Sequence, residues 1–521
     1  MGTYTFRKTG HNENRSVFAP LAGLTALGAA VRFSTLGLQG YRHDEAVTAG
    51  RVLVSSLPES MHRVWTGEST PPLYYLLAWL WSRPFGVHEV GLRSLSAFFG
   101  TATIPVAYLV GRELGGRRAG LALAALVAVE PMLVWFSQDA RAYALLVLLS
   151  TAALYFFLRA RRTGAGRDLG WWAVLSALAL AAHWFAALPL AIEAAWLLFA
   201  ARPSKRPSSA SGAPYVSIGH KRRTGTGRAT VLAVGGVALA GLTLAPIAIH
   251  QAQGKNNDWI ATFGMAGRLR ETAIAFFVGE AGLLKHALIP MALFAAAVAL
   301  LLWRGGRRER RGAAVALAIG GGTIVLALLL AAAGQDYVLE RNLLPALIPL
   351  AYVGAAGAMA PGAGRLGLAV WAALVAYLLA FCVYSDFRPA LQRDDWRTVA
   401  SAIGPARVPR AILVWEQGDE PLSFYVPGTQ TRAKWKEWRH APVPVREVDV
   451  VSGRPPPAGE RGALPPAFRR VGKLTLGRMT LVRYRAARPR LLPWRRIIGN
   501  FTGYANNAVL LDGLPRRASA P

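Results

Sequence analysis

The chain has 521 residues, of which 53% are hydrophobic and only 17% are charged, whereas soluble globular domains have roughly 25% charged residues. The apolar residues cluster in runs of about 20, the length needed to cross ~30 Å of hydrocarbon. This composition excludes an ordinary soluble protein. It predicts a polytopic α-helical membrane protein.

The net charge of +31 is concentrated in short loops between the apolar runs. Basic residues in short loops are typical of the cytoplasmic side of a membrane protein. The distribution therefore predicts membrane topology and membrane lipids as surroundings, and it argues against a nucleic-acid partner. The basic clusters lie at residues 112–118, 159–167, 202–228 and 304–311 and at Arg365.

With the basic N-terminus inside, the apolar runs predict about 11 transmembrane helices. No cleavable signal peptide is expected before the first run, because residues 1–20 are polar and basic and no small-residue cleavage site follows that run. A first outer loop over residues 39–90 contains a short aromatic segment, 70–81, that suits an interfacial helix. The spans are predicted at about 17–38, 91–110, 119–135, 143–158, two within 171–201 turning near His183, 229–249, 286–303, 313–333, 342–360 and 366–384.

An odd number of spans places the region after residue 384 outside the cytoplasm. There the patterning changes, with strand-like runs at 411–415 and 473–476 and a helix start at Asp394 and Asp395. We therefore expect a transmembrane module over residues 1–384 and a small extracytoplasmic α/β domain over residues 385–521. This domain folds without an intramolecular disulfide, because Cys382 is the only cysteine of the chain. The tail after Pro489 has no clear pattern and is expected to be irregular.

Under this topology nearly all ionisable residues at span ends lie on the outer side. Charged groups within or beside membrane spans are costly and commonly functional. Topology was inferred from basic loops and span lengths, so this shared location supports one outer active site. The residues are Asp44, Glu45, Asp139, Arg141, His183, Asp336, Glu340 and Arg341.

Several of these residues lie in motifs similar to those of a known enzyme class. Asp44-Glu45 follows the first span, Pro71-Pro72-Leu73-Tyr74-Tyr75 follows in the loop, and Ser137 to Tyr143 reads SQDARAY. His183-Trp184-Phe185 and Glu340 to Pro345, reading ERNLLP, complete the ordered set. The chain resembles GT-C membrane glycosyltransferases, in particular the bacterial relatives of protein O-mannosyltransferases and of the lipid A aminoarabinose transferase. The resemblance covers about residues 41–349, and the C-terminal domain matches only loosely.

The resemblance implies an inverting glycosyl transfer from a polyprenyl-phosphate sugar to an acceptor hydroxyl on a protein, lipid or glycan. Mannose or a related hexose is the expected sugar, and the plasma membrane the expected location. One general base must take the hydroxyl proton, and cationic groups must stabilise the departing phosphate. By position in the family Asp44 is the base, and Arg341 is the first choice for the phosphate because arginine offers a planar fork to its oxygens.

Each candidate residue also has an alternative interpretation. Glu45, on an expected extended loop, orients Asp44 or the acceptor, or else the pair caps an interfacial helix. Arg341 could form an ion pair with Asp336 or Glu340 instead of binding phosphate. Asp139 and Arg141 could pair with each other, or Arg141 could support the catalytic loop or the sugar phosphate.

The uncharged candidates have two interpretations as well. His183 is either a phosphate or sugar contact or a hydrogen-bonded structural residue. Tyr74, Tyr75 and Trp79 are interface anchors or line a groove for the isoprenoid or sugar. The loop from Lys255 could cover the donor site or be a solvated connector.

No obligatory cofactor is expected, since the sequence lacks a helical metal spacing such as HExxH; a divalent cation shared by Asp44 and the donor phosphate is the alternative. Within the same fold, the alternative reactions are arabinosyl-type transfer and en bloc transfer of a glycan from a pyrophosphate carrier. Other classes are a secondary transporter and a membrane scaffold. A transporter would place its ionisable groups near the bilayer midplane and show internal repeats, and a scaffold would leave Asp44-Glu45 unexplained.

Overall fold

The computed structural model describes residues 10–201, 225–253, 260–426, 428–431, 444–453, 464–492 and 507–513. These residues fall into two compact units, each assembled from separate stretches of the chain. The first unit contains Met1–Ser34, Met61–Leu80 and Arg93–Val383, and the second contains Thr35–Ser60, Trp81–Leu92 and Tyr384–Pro521. The stretch carrying Asp44 and Glu45 therefore shares the second unit with the C-terminal region.

The predicted apolar runs are helical, and eighteen α-helices are formed by the residues that the structure describes. They are α1 (Gly10–Phe33), α2 (His43–Ala46), α3 (Leu57–Gly67), α4 (Leu73–Phe85), α5 (Glu89–Gly115), α6 (Arg117–Val129), α7 (Pro131–Ser137), α8 (Tyr143–Thr163), α9 (Gly166–Ala182), α10 (Ala187–Ala201), α11 (Gly225–Gln253), α12 (Met265–Val278), α13 (Leu284–Arg304), α14 (Arg307–Ala332), α15 (Leu344–Ala358), α16 (Gly364–Asp386), α17 (Trp396–Ile403) and α18 (Asp419–Tyr425).

A polytopic membrane protein is confirmed, but the count of 11 spans is not. Among the described residues, seven helices are long and apolar enough to cross a membrane, or eight if the bent pair α6–α7 counts as one span. The other predicted spans are short: the apolar part of α1 is Val17–Phe33, α9 has 17 residues and α15 has 15. The predicted turn near His183 is confirmed, because α9 ends at Ala182 and a 3₁₀ turn, Trp184–Ala186, leads into α10.

The predicted third span is broken by Glu130-Pro131, where α6 and α7 meet at 56°. Pro131 cannot continue the α6 hydrogen-bond ladder, whereas it fits the first position of α7. Glu130 caps α7 by accepting a hydrogen bond from the backbone N–H of Leu133 at 2.7 Å. Such a break is tolerated in a span only where other groups satisfy the freed backbone atoms.

Arg32 of α1 supplies those groups. Its guanidinium donates to the carbonyl oxygens of Ala128 at 2.7 Å and Val127 at 2.8 Å, both in the last turn of α6. It also donates to the Ser137 hydroxyl at 3.1 Å, at the end of α7. One fully buried arginine thus joins three elements at the break.

The second unit contains a six-stranded sheet with the order β2-β6-β1-β3-β5-β4. β1 pairs with β3 in parallel and every other pair is antiparallel. The two faces bury separate apolar clusters, one of which includes Trp396 and Val399 of α17. The strands are β1 (Arg410–Trp415), β2 (Gln430–Thr431), β3 (Pro444–Ser452), β4 (Arg469–Leu476), β5 (Met479–Leu491) and β6 (Asn507–Asp512).

The predicted α/β character of the C-terminal region is confirmed, with one correction. The expected strands correspond to β1 and β4, and the expected helix is α17, capped by Asp395 through the backbone N–H of Thr398. The tail after Pro489 was expected to be irregular, yet it supplies β6, which lies between β1 and β2. A short, continuous apolar run is typical of a fully buried strand, and the sequence pattern alone did not separate it from loop.

Candidate active site

The segment that carries Asp44 and Glu45 is helical, so the expectation of an extended loop is wrong. α2 continues directly into a π-helix, Val47–Val52. The Leu53 N–H donates to the carbonyl oxygen of Thr48, and the Thr48 hydroxyl donates to that of Asp44 at 3.0 Å. Short π-helices are rare and frequently occur at functional sites. The sequence carried no signal for this element.

The two neighbouring carboxylates have different environments. Glu45 is fully buried. Its Oε2 accepts a hydrogen bond from the backbone N–H of Arg42 at 3.2 Å and lies 3.4 Å from Nη1 of Arg393. Asp44 is half-buried. The Glu45 carboxylate therefore caps the start of α2 and forms a buried ion pair, whereas the Asp44 side chain that precedes it is more open.

In the first unit, Arg141 forms a buried ion pair with Glu68. Nη1 of Arg141 lies 3.0 Å from Oε2 of Glu68, which also accepts a hydrogen bond from the Tyr75 hydroxyl at 2.6 Å. The guanidinium lies 5.8 Å from the centre of the Tyr75 ring. The sequence analysis missed Glu68. The only available signal was a lone carboxylate just before the Thr70-Pro71-Pro72 segment.

The backbone of the SQDARAY turn is compact and largely buried. The Arg141 N–H donates to the carbonyl oxygen of Asp139 at 2.7 Å, and the Asp139 side chain is fully buried. Tyr143, which begins α8, packs its ring 5.2 Å from the ring of His183. The turn and His183 are thus neighbours in the first unit.

His183 caps the 3₁₀ turn that follows α9. Its Nδ1 accepts a hydrogen bond from the backbone N–H of Phe185 at 3.3 Å. Burial, together with the positive charges of Arg141 and Arg341, lowers the pKa of His183 to about 3. The imidazole is therefore neutral at physiological pH. The influence of both arginines on one ring places Arg141, His183 and Arg341 in one neighbourhood of the first unit.

Arg341 lies in a 3₁₀ turn, Glu340–Leu343, that leads into α15. Burial raises the pKa of Glu340, and the negative charge of Glu280 raises it further, while Arg341 opposes the rise. Asp336, one alternative partner of Arg341, forms a two-point ion pair with Arg268 at 2.6 and 2.8 Å. Hydrogen bonding to Arg268 lowers the pKa of Asp336. Arg268 is a second residue that the sequence analysis missed.

The aromatic residues predicted for a lipid or sugar groove do not share one environment. The segment predicted to be an interfacial helix is helical and forms α4. Tyr74 and Tyr75 are buried within the first unit, and the Tyr74 hydroxyl lies 3.4 Å from that of Ser96. They are therefore not exposed interface anchors. Trp79 is half-buried. The loop from Lys255 to Trp259 lies outside the described residues.

Within the described part of the chain, no group of three or more His, Cys, Asp or Glu side chains is arranged to hold a metal ion. Asp44 and Glu45 of the second unit, and Asp139, His183 and Glu340 of the first, belong to no such group. The donor set of the described residues thus offers no ready-made protein cage for a metal.

Comparisons with known proteins identify the class that this architecture resembles. The family model described as dolichyl-phosphate-mannose-protein mannosyltransferase matches residues 69–218, which is less than half of the chain. ArnT from Cupriavidus metallidurans, solved bound to undecaprenyl phosphate, is 13% identical with a TM-score of 0.52. That match covers 89% of this chain and 97% of ArnT. The chain has the GT-C fold. The resemblance to GT-C glycosyltransferases is therefore confirmed.

Two further GT-C structures match over smaller parts. The Archaeoglobus fulgidus oligosaccharyltransferase, solved in complex with Zn and sulfate, is 12% identical with a TM-score of 0.45. The match covers 78% of this chain and 61% of the archaeal enzyme, so the chain spans less than two thirds of that relative. The S. cerevisiae protein O-mannosyltransferase Pmt1-Pmt2 complex, solved bound to the sugar donor, is 20% identical with a TM-score of 0.36. That match covers 45% of this chain and 34% of the yeast chain. A sequence comparison with curated proteins finds no match.

Proposed function

We propose that this protein is a membrane glycosyltransferase that moves a sugar from a polyprenyl-phosphate donor to a hydroxyl acceptor, with inversion at the anomeric carbon. The observation that carries the proposal is the GT-C fold over 89% of the chain, together with a carboxylate pair in α2, the first helix after α1. ArnT, which shares this fold, was solved with a polyprenyl phosphate bound. Mannose or a related hexose is the proposed sugar, in keeping with the matched family model.

In the proposed reaction Asp44 is the general base. Its carboxylate takes the proton of the acceptor hydroxyl while the hydroxyl oxygen forms a bond to the anomeric carbon. The bond between that carbon and the phosphate oxygen breaks, and its electron pair leaves on the phosphate. No acid is needed, because the leaving group departs as a stable anion. The half-buried side chain of Asp44 suits this role better than the buried, ion-paired Glu45.

The donor phosphate is proposed to bind near Arg341. Arg141 already neutralises the buried carboxylate of Glu68, so its charge is shared. We assign to Arg341 the main phosphate contact. Arg141, Asp139 and Glu340 are assigned a supporting role in the donor-binding site. His183 is neutral and can offer its Nε2 as a hydrogen-bonding group, but it adds no charge to the phosphate site.

The proposed location is the plasma membrane, with the active site and the C-terminal region outside the cytoplasm. The basic loops support this orientation. A prenyl carrier presents its sugar at the membrane surface, so the chemistry requires Asp44 to lie close to that surface. A divalent cation bridging Asp44 and the donor phosphate is the alternative to a purely cationic phosphate site. Activity lost in EDTA and regained with Zn²⁺ or Mg²⁺ would establish it.

An arabinosyl-type sugar is the second candidate donor, since ArnT is among the matched structures. Purified protein supplied with polyprenyl-phosphate mannose, glucose or aminoarabinose in separate reactions distinguishes the two. Transfer from a pyrophosphate-linked glycan would instead indicate en bloc transfer. A lack of transfer from all of these donors would contradict the proposed function.

The role of Asp44 is tested by Asp44→Asn in the purified full-length protein. We expect transfer of radiolabelled sugar from the polyprenyl-phosphate donor to fall by about a hundredfold or more, since general bases contribute 10²–10⁴-fold. The amide keeps the shape of the side chain, so the unfolding temperature should stay the same. The matched control is Glu59→Gln, an exposed carboxylate in the same loop. Wild-type transfer by Asp44→Asn would remove the proposed mechanism.

A further inference from the structure

Several side chains from the far end of the sequence contact the segment around Asp44, among them Asp419 beside His43 and Glu420 beside Arg51. We name Arg393, Arg397, Phe424 and Tyr425 the clasp residues; all four belong to the second unit, as does the segment from Gly37 to Gly50 that they contact. They lie more than 340 positions away along the chain. Their contacts fall both before and after Asp44.

Arg393 binds the segment at two points. Its Nη1 lies 3.4 Å from Oε2 of Glu45, and only 5% of the arginine side chain and none of the glutamate side chain are exposed. Its backbone N–H donates to Oε1 of Gln39 at 2.9 Å. Removing one partner of a buried ion pair leaves the other charged and desolvated, which is strongly unfavourable. The buried charge of Glu45 is therefore stabilised by Arg393.

Arg397 binds the backbone just before Asp44. Its Nη2 donates to the carbonyl oxygens of Gly37 at 3.0 Å and Leu38 at 3.2 Å. Its Nη1 lies 3.3 Å from Oε1 of Glu89. The approach is close, because a Cβ at Gly40 would lie 3.2 Å from the backbone nitrogen of Arg397.

The two aromatic clasp residues also contact the segment around Asp44. The Tyr425 hydroxyl accepts a hydrogen bond from the backbone N–H of Tyr41 at 2.6 Å and donates one to Glu89 at 2.7 Å. The ring of Phe424 packs edge-on against that of Tyr41, with 5.3 Å between centroids. On the other side of Asp44, a Cβ at Gly50 would lie 3.1 Å from Phe424. The backbone is thus fixed at both ends of the helical stretch.

This stretch has little stability of its own. α2 is a single turn, and the π-helix that follows has a hydrogen-bond geometry that is rarely stable in isolation. Tertiary contacts must therefore hold it in one conformation. A general base must be positioned accurately, and a displacement of ~1 Å can cost about 10²-fold in rate.

We propose that the C-terminal domain is a required part of the transferase, because its clasp residues fix the position of the helical turn that carries Asp44. Arg393 is the central positioning residue and acts through Glu45, so Glu45 is itself a positioning residue. The inference rests on the proposed role of Asp44 as base. It assigns to the C-terminal domain a function that the fold alone does not give it.

The test uses the full-length protein with Arg393→Ala, Arg393→Lys and Tyr425→Phe. Hydrogen exchange of peptides covering residues 37–53 reports how stably the turn is held, independently of activity. We expect exchange there to rise about tenfold or more in Arg393→Ala and Tyr425→Phe, and kcat to fall about 10- to 100-fold with little change in KM for the donor. Arg393→Lys keeps the positive charge, so it should restore part of the protection from exchange and part of kcat. Arg488→Ala, an exposed arginine on β5, is the matched control and should change neither.

The outcomes separate this inference from the proposed function. Wild-type exchange in Arg393→Ala and Tyr425→Phe would overturn the inference even if Asp44→Asn is inactive. Faster exchange with undiminished transfer would also overturn it, because the clasp would then be dispensable for catalysis. If Asp44→Asn retains full transfer, the proposed base is wrong, while the exchange data still report whether the clasp holds the turn. An Arg393→Ala protein that fails to fold leaves Tyr425→Phe, which removes one hydroxyl, as the deciding variant.

Discussion

At the scale of single residues, the structure separates side chains that the sequence presents as equals. Asp44 and Glu45 are adjacent carboxylates, yet the Glu45 carboxylate caps α2 and forms an ion pair with Arg393. Arg141 and Arg341 are both outer-side arginines in the predicted topology, yet Arg141 is paired with buried Glu68. A buried ion pair has little charge to spare for a ligand, and substitution of Arg141 would leave the buried carboxylate of Glu68 without this partner.

The residue-scale prediction concerns donor binding. Arg341→Ala should lower kcat/KM for the polyprenyl-phosphate donor by about 10- to 100-fold, since a hydrogen bond to a charged group contributes roughly 1.5–3 kcal/mol. Arg341→Lys should recover part of the loss, because lysine keeps the charge but not the planar fork. Arg118→Ala, at an exposed position of α6, is the control. An unchanged donor dependence in steady-state kinetics would reassign the phosphate site.

At the scale of elements, Pro131 shows where the third predicted span breaks. The sequence does not show which groups stabilise the break. Pro131 ends α6 and starts α7, and Glu130 caps the second helix. Arg32 then satisfies the carbonyl oxygens of Ala128 and Val127 from a helix about 95 residues earlier. The first helix and the broken span are therefore coupled by one side chain.

The element-scale prediction follows from this coupling. Arg32→Ala should lower the unfolding temperature of the detergent-purified protein by several degrees, because each buried polar group left without a partner costs about 1–3 kcal/mol. Arg365→Ala, an exposed arginine at the start of α16, should leave it unchanged. If both variants unfold like the wild type in a thermal scan, other groups or water must satisfy these carbonyls.

At the scale of the whole molecule, the chain is a GT-C membrane protein whose second unit combines stretches from the first loop with the C-terminal region. The sheet of that unit buries Arg410 among the carboxylates of Glu447 and Asp449, at 3.6 and 3.5 Å. Such a network fixes the register of β1 against β3, because Arg410 lies directly opposite Glu447. The unit is thus stabilised without a disulfide.

The whole-molecule prediction concerns orientation. Cys382 is buried, so the wild-type protein should react little with a membrane-impermeant thiol reagent. A cysteine placed at exposed Glu59 should be labelled in intact cells, whereas one placed at exposed Arg307 should be labelled only after the cells are opened. Mass spectrometry of the labelled protein measures both. The reverse pattern would place Asp44 in the cytoplasm and contradict the proposed reaction.

The sequence determined the class of molecule and most of its helices, because membrane spans need long apolar runs and loop charge marks their ends. The same local patterns predicted β1, β4 and the start of α17. The candidate site residues Asp44, Arg141 and His183 are proposed from the order of their motifs along the chain. What these signals share is that they lie in short stretches of sequence.

Only the tertiary structure decided which of those residues are already engaged. The partners of Arg141, Asp336 and Glu45 are Glu68, Arg268 and Arg393, which lie tens to hundreds of positions away. Ion pairs and hydrogen bonds over such separations depend on how the chain folds back, and no periodicity encodes them. The π-helix after Asp44 and the β6 strand were missed for the same reason, since distant contacts, rather than local preference, hold them in place.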